Sequence, residues 1–357
     1  MKVGFGAQST GGRGGSVYVV TNLNDTGTGS LRDAVSQPNR VVVFSVGGLI
    51  TISDRIVVSR NIYIAGQTAP GQGITVYGNG LSYSNANNTI TRDAGKDAIT
   101  IAEGANMIFD HVSVSWGRDE TFSINGEVFN VTISDCIIAQ GLETHSAGGL
   151  IQTDGGVSII RSLYIDNQTR NPKVKGVNEF INNVRTLHNN ITRGNANFHT
   201  YVSDNLYDPD QVCTIPTVAG IHLTQTGQDV QWLHTCRNNW RKISVPDCCY
   251  LAQPTDVLAR INASAGASLS RDHVDAYLIN TELGSLGKVG ALITDPTLVP
   301  INGPGPIAGG TAPIDSDGDG IPDAYEVAHG LNPNVNDAAN IASNGYANIE
   351  NYVNSLV

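Results

Sequence analysis

Two groups of residues in this 357-residue chain are spaced for chemistry. The first is Arg170-Asn171-Pro172-Lys173-Val174-Lys175, which gathers three cations in a protein whose formal net charge is −11. Upstream of it stand acids in Asp97-Ala98-Ile99, Phe109-Asp110-His111 and Trp116-Gly117-Arg118-Asp119-Glu120. Taken alone, the basic segment is a solvated loop. In company with these acids it has what the handling of an acidic polymer requires. Cations hold carboxylates and stabilise charge that develops on them, and clustered acids recruit a divalent ion through hard oxygen ligands. The second group is Asp315-Ser316-Asp317-Gly318-Asp319-Gly320-Ile321-Pro322-Asp323-Ala324-Tyr325-Glu326. It fills every ligand position of a twelve-residue calcium loop. Asp315, Asp317 and Asp319 stand at one, three and five, Gly320 at the sharp turn, and Ile321 offers its carbonyl. Asp323 takes the ninth position and Glu326 the bidentate twelfth.

The elements that must position these residues read as short strands. Val17–Val20, Val41–Phe44, Ile62–Ala65, Ile74–Tyr77, Ile99–Ala102, Met107–Val114, Val131–Ile138, Val157–Ile165 and Val177–Val184 are apolar and β-branched. Asn61, Gly73, Asn106, Asn130 and Gly156 precede several of them. Measured from Asn61 to Asn87, Asn106, Asn130, Val157 and Val177, the interval is roughly 19–27 residues, the scale of one solenoid coil. A leucine-rich frame is absent, so stacked parallel coils with aliphatic interiors explain the period better. Ser30–Val35 is the one early helical signal, and Gln253–Gly287 turns helical in character. Residues 301–312 form a Gly/Pro linker by composition.

In their order along the chain, these motifs resemble polysaccharide lyases of the pectate lyase type. The resemblance covers most of residues 1–205 and returns around 255–300. It implies an all-β fold, a right-handed parallel β-helix over 1–300 with an irregular stretch at 208–252. A short N-terminal helix would cap it, and a small calcium-loop tail would occupy 313–357. It implies calcium as cofactor and β-elimination of de-esterified homogalacturonan (polygalacturonate) as the reaction. Asp97 matches a calcium ligand and Asp119 the first acid of a second ligand pair. Ser123 stands where the other acid of that pair is usual, which leaves Glu120 as its substitute. Arg170 matches the arginine assigned as base. Lys175 replaces a second arginine that binds substrate carboxylate, Lys173 adds a cation, and coil counting puts His145 on the same side as a substrate contact. Asp110-His111 reads as an internal structural pair. The tail loop is similar to those of dockerin-type and thrombospondin-type-3 repeats. Two alternatives stay open: a catalytically inactive β-helix that binds polysaccharide, and a lyase for methyl-esterified pectin. The chain departs from the family pattern between Arg92 and Asp93, over Arg185–Asn190, and across Val212–Tyr250.

The acidic balance speaks against nucleic acid, which wants a basic face. No apolar run is long enough to span a membrane as a helix. A monomer acting on an acidic plant polysaccharide is the expected state. Gly4-Phe5-Gly6-Ala7 resembles the mature start of the family, and the first residues lack the apolar core of a signal peptide. Secretion is therefore expected, with the signal segment absent from this chain. Sequons at Asn24, Asn87, Asn130, Asn167, Asn190 and Asn262 are compatible with it. Of the five cysteines, Cys136 reads as a buried small residue, while Cys213, Cys236, Cys248 and Cys249 fit no zinc spacing.

Overall fold

The computed structural model describes residues 3–83, 97–181, 183–185, 198–203, 206–207, 254–284 and 292–357. The expected departures at Arg92–Asp93, 186–190 and 212–250 lie outside these residues, as do Asn87, Asn190, Cys213, Cys236, Cys248 and Cys249. The chain divides into two compact units, Met1–Ser9 with Ile90–Gly303, and Thr10–Thr89 with Pro304–Val357.

In the unit of residues 10–89 the strands are β1 (Ser16–Val20), β2 (Arg40–Phe44), β3 (Gly48–Ile52), β4 (Ile56–Val58), β5 (Ile62–Ile64), β6 (Ile74–Gly78) and β7 (Leu81–Tyr83). Each pairs in parallel with its counterpart one coil on: β1 with β2 and β2 with β5, β3 with β6, β4 with β7. Inside lie Val20, Val42, Phe44, Ile50, Ile52, Ile56 and Val58. Helix α1 (Leu31–Val35) adds Leu31, Ala34 and Val35 to that core, and the Ser30 hydroxyl caps it by accepting from the Asp33 amide at 3.2 Å.

The second unit carries β8 (Ile99–Asp110), β9 (Ser113–Ser115), β10 (Glu120–Ser134), β11 (Ile137–Ala139), β12 (Ala147–Ile160), β13 (Leu163–Ile165), β14 (Lys173–Ile181), β15 (Val184–Arg185), β16 (Phe198–Ser203) and β17 (Leu206–Tyr207). The long strands stack in the order β16-β14-β12-β10-β8 and the short ones as β17-β15-β13-β11-β9, all parallel. Register aligns like residues on successive coils. Ile101, Ile124, Ile151 and Val174 form one buried rung, and Phe109, Ile133, Ile159 and Phe180 another. This is the parallel β-solenoid that the coil-length period implies.

Corners explain the punctuation. Asn106 (φ 60°) and Asn130 (φ 57°) are left-handed, a conformation that Asn tolerates. So are His111, Asp135 and Arg161 after successive long strands, and Trp116, Gln140 and Asp166 after successive short ones. Asp135 and Arg161 then meet across one coil step, where Arg161 Nε donates to both carboxylate oxygens at 2.9 Å. The first residues run across this unit as a strap. The Phe5 amide donates to Ser158 Oγ at 2.8 Å and the Gly6 amide to Thr132 Oγ1 at 2.9 Å. A Cβ on Gly6 would stand 2.2 Å from the Met107 carbonyl oxygen, which is why glycine belongs there.

Helix α2 (Pro254–Ser264) and helix α3 (His273–Tyr277), which runs on into a π-helical turn over Leu278–Leu283, cover the short sheet. They pack Val257, Ile261, Val274, Leu278 and Leu283 against Ile137, Leu163 and Ile165. The tail holds α4 (Asp323–His329) and α5 (Asn348–Asn354). Its Ile321, Ala338, Ile349 and Val353 share a core with Val41, Val43 and Ala65 of the first coils. The segment expected as an appendage beyond a linker thus groups with residues 10–89, because those outward apolar side chains need cover. The Asn167 sequon sits fully buried, its carboxamide bonded to Ile138 O at 3.0 Å and accepting from the Gly141 amide at 2.9 Å, so it carries no glycan. Cys136 is buried with a free thiol, as expected, and burial pushes its pKa up.

Candidate active site

The acids and cations singled out in the sequence converge because coils stack in register. Thr100, Ser123, Leu150 and Lys173 form a rung near the N-terminal ends of β8, β10, β12 and β14. Asp97 stands two residues before the first of these strands, Asp119 and Glu120 stand at the start of the second, and Arg170 precedes the fourth. Adjacent parallel strands lie about 4.8 Å apart, so residues far apart in sequence become neighbours at one end of the sheet.

Asp97 is held on both oxygens: Oδ1 accepts from the Glu120 amide at 3.1 Å and Oδ2 from Thr100 Oγ1 at 2.9 Å. The Glu120 side chain is 4% exposed and accepts from the Arg170 guanidinium, itself 28% exposed. A carboxylate that buried is tolerated only with a partner, and Arg170 provides one. Arg170 is left-handed (φ 52°), and its carbonyl accepts from the Gly149 amide at 2.6 Å. An arginine in this region is unusual and costs backbone energy, which the neighbouring coil stabilises. Asp119 Oδ1 lies 3.1 Å from His145 Nε2, both about half exposed. Asp119, Glu120 and His145 each present a ligand atom within 4.8 Å of the others.

Along β14 the burial alternates, with Val174 inside and Lys173 and Lys175 outside. Side chains two apart share a face of a strand, so both lysines project from the same side. Lys175 Nζ pairs with the exposed Asp154 at 3.2 Å. Ser123 is buried on its rung and brings no charge.

A probable pectate lyase C of Emericella nidulans is 52% identical over 393 aligned positions that take in 99% of this chain and 91% of the relative. Its namesake in Aspergillus fumigatus is 51% identical over 396, taking in 99% and 92%. The chain belongs to the pectate lyase family. Among solved structures it is similar to a pectate lyase from Bacillus sp. N165 in complex with trigalacturonate. That match has a TM-score of 0.47 at 14% identity and covers 74% of this chain and 99% of that one. A pectate lyase from Paenibacillus sp. 0602 has a TM-score of 0.44 at 13% identity, covering 77% and 98%. No family model matches the chain.

The tail of this pectate lyase family member folds its acidic loop inward. Asp315 Oδ1 accepts from the amides of Gly318 (2.9 Å) and Asp319 (3.2 Å), and its Oδ2 from that of Gly320 (2.9 Å). Asp317 Oδ1 accepts from the Asp319 amide at 3.1 Å. Asp319 accepts from the Ile321 amide at 3.0 Å and, on its other oxygen, from Asp337 (3.0 Å) and Ala338 (2.8 Å). Gly320 (φ 94°) makes the turn, and a Cβ there would meet Val43 Cγ2 at 2.8 Å. The Ile321 side chain is fully buried in the apolar core. Asp323 turns to Ser316, accepting from its amide at 2.7 Å and its hydroxyl at 2.6 Å. Glu326 is fully buried, with neither carboxylate oxygen hydrogen-bonded. Burial and the charges of Asp319, Asp317, Asp337 and Asp323 push it up to about 7. Asp337 lies beyond the twelve-residue frame, so no spacing rule pointed to it.

Two further acidic groups stand away from this edge. Asp110 and His111 do pair, Oδ2 to Nδ1 at 3.1 Å, but about half exposed rather than internal; Asp110 also accepts from Ser134. Asp166 and Glu282 are both buried near Tyr277, whose hydroxyl donates to Glu282. Burial, and then the charge of Glu282, push Asp166 up to about 8, with Gln140 pulling the other way.

Proposed function

We propose that this chain is a calcium-dependent pectate lyase that cleaves de-esterified homogalacturonan by β-elimination. The observation behind the reading is that Asp97 and Asp119 stand at the same end of the long sheet as the Glu120–Arg170 pair. In this reaction a base takes the proton from C5, its electron pair forms the C4–C5 double bond, and the glycosidic oxygen leaves C4. The difficulty is the weak acidity of C5 beside an anionic carboxylate. A bound calcium ion relieves it by withdrawing charge from that carboxylate as a Lewis acid.

The donor set suits such an ion, because Asp97, Asp119 and Glu120 offer hard carboxylate oxygens. His145 orients Asp119 and borders the substrate. Arg170 is paired with Glu120, so its guanidinium turns to the sugar only when that carboxylate's charge is engaged elsewhere. Freed in this way, Arg170 meets C5, as base or by neutralising the enolate that forms. Lys173 and Lys175 hold uronate carboxylates further along the polymer. As single cations they bind by charge, without the two-pronged geometry of arginine. Methyl-esterified pectin would leave the three acids without a role.

The same reading gives the tail a calcium ion of its own in residues 315–326, on Asp315, Asp317, Asp319, the Ile321 carbonyl and Glu326. Asp323 serves there by pinning Ser316. The protein acts outside the cell as a monomer on its polymer, with no nucleic-acid or membrane partner. Among the described residues no helix is long and apolar enough to cross a membrane. The test is incubation with polygalacturonate, first with calcium and then with chelator, following the ultraviolet absorbance of unsaturated uronides. A rise that chelator stops, and that Arg170→Ala abolishes while polymer binding persists, is the expected result. A flat trace from folded, calcium-loaded protein would overturn the lyase reading in favour of a polysaccharide-binding scaffold.

A further inference from the structure

The tail from 304 to 357 carries seven acids (Asp315, Asp317, Asp319, Asp323, Glu326, Asp337 and Glu350) and neither lysine nor arginine. Arg13, on the first coils, neutralises Glu350 through two bonds of 2.7 and 2.9 Å. The other six must find their counter-charge elsewhere. Five of them form two overlapping groups, Asp315 with Asp317 and Asp319, and Asp319 with Glu326 and Asp337, each group presenting ligand atoms within 4.8 Å of one another.

Crowded acids alone would not indicate an ion. The deciding residue is Glu326, which is 0% exposed and has no hydrogen-bond partner on either oxygen. A charged carboxylate without a donor is not stable in an apolar interior. A proton would satisfy one of its oxygens, but would leave Asp319 and Asp337 pressed against it uncompensated. A cation between the three satisfies all of them, and their hard oxygens select calcium.

Asp337 connects that position to the rest of the tail. Its Oδ1 accepts from Asn348 Nδ2 at 3.1 Å, and its amide donates to Asp319 at 3.0 Å. Asn348 opens α5, whose Ile349, Tyr352 and Val353 pack with Val41, Val43 and Ala65. Loop, Asp337, α5 and the face of the first coils are therefore one continuous set of contacts.

We propose that Asp337 completes the tail's calcium site with Asp319 and Glu326, and that this ion fastens the tail onto the coils of residues 10–89. The inference rests on the reading of 315–326 as a calcium loop and adds a ligand from outside it. It also gives calcium a second task, holding the fold together, separate from the chemistry at Asp97, Asp119 and Glu120.

The experiment uses the full chain with Asp119→Asn, which weakens the proposed site at the end of the long sheet, as background. Calcium is titrated by calorimetry into this protein and into the same protein carrying Glu326→Gln or Asp337→Asn. In parallel, chymotrypsin digestion at Tyr325, Leu331 and Tyr346 is followed with calcium and with chelator. The expected result is one tight site in the background protein, weakened at least about tenfold by either tail substitution. Cleavage of the tail should slow about tenfold or more in calcium, and only when both acids are present. If no tight site remains in the background protein, the calcium loop and this inference fall together. If Glu326→Gln removes the site while Asp337→Asn leaves it intact, the loop stands and Asp337 is not a ligand. If the ion binds through Asp337 yet digestion ignores calcium, the fastening is overturned.

Discussion

Replacing Asp166 with asparagine should flatten the loss of stability that this fold suffers as pH rises. Asp166 is fully buried at a corner of the short sheet, with Glu282 close by. Its pKa rises from 3.8 to about 8, so over that range the folded chain holds a proton that the unfolded chain has released. Below the lower value both states are protonated and the group is neutral in its effect. Between the two values stability falls with rising pH, at a limiting slope of about 1.4 kcal/mol per pH unit. Above the upper value both states are ionised and the slope vanishes. Between about pH 6 and about pH 8 the bound proton is half lost at the upper end, so the integrated effect is about 2 kcal/mol. Asparagine keeps the shape and does not titrate. Urea unfolding of both proteins at fixed calcium should therefore show Asp166→Asn gaining about 2 kcal/mol on the parent across that interval. Parallel curves would refute the reasoning, because they would mean that Asp166 is already ionised or solvated in the folded state.

Other perturbations follow from the same contacts. Glu120→Gln keeps the bulk beside Arg170 but removes a ligand charge; turnover on polygalacturonate should fall roughly a hundredfold and the calcium requirement should rise, measured by uronide absorbance. Arg161→Ala strands the buried Asp135 carboxylate, leaving the more distant Arg260 (3.6 Å) and the nearby His111 to compensate among the described residues, and should cost about 3–5 kcal/mol in urea unfolding. Lys175→Ala breaks an exposed pair with Asp154 worth less than about 1 kcal/mol to the fold. Its effect should instead be a higher KM with kcat nearly unchanged, and the difference should shrink as salt is added.

The sequence showed the coils through their period and offered the candidate site as an ordered set of motifs, each weak alone. It could not show which rung each motif occupies. That Glu120 lies against Arg170 depends on register across intervening strands, and no spacing along the chain encodes it. Corners were legible where Asn106 and Asn130 mark them, since asparagine accepts left-handed geometry. They were hidden at His111, Trp116 and Arg161, whose side chains rarely adopt it. Strands β3, β4 and β7 were hidden, although β3 is as long as β1, β2 and β6, and β4 and β7 are as long as β5. In the tail the loop was written in consecutive spacing, whereas Asp337 joins it only through the fold.

The cover that the last residues give to Val41, Val43 and Ala65 has a consequence for how the protein is made. A ribosome adds roughly 5–20 residues per second, so these side chains emerge on the order of a quarter of a minute to a minute before their partners exist. Throughout that wait an apolar strip of newly made β-structure faces the surroundings, and anything that shields it then governs yield. A premature stop near the end of the message would leave the strip bare for good. Its damage would appear at the beginning of the protein, among residues the lesion never touched.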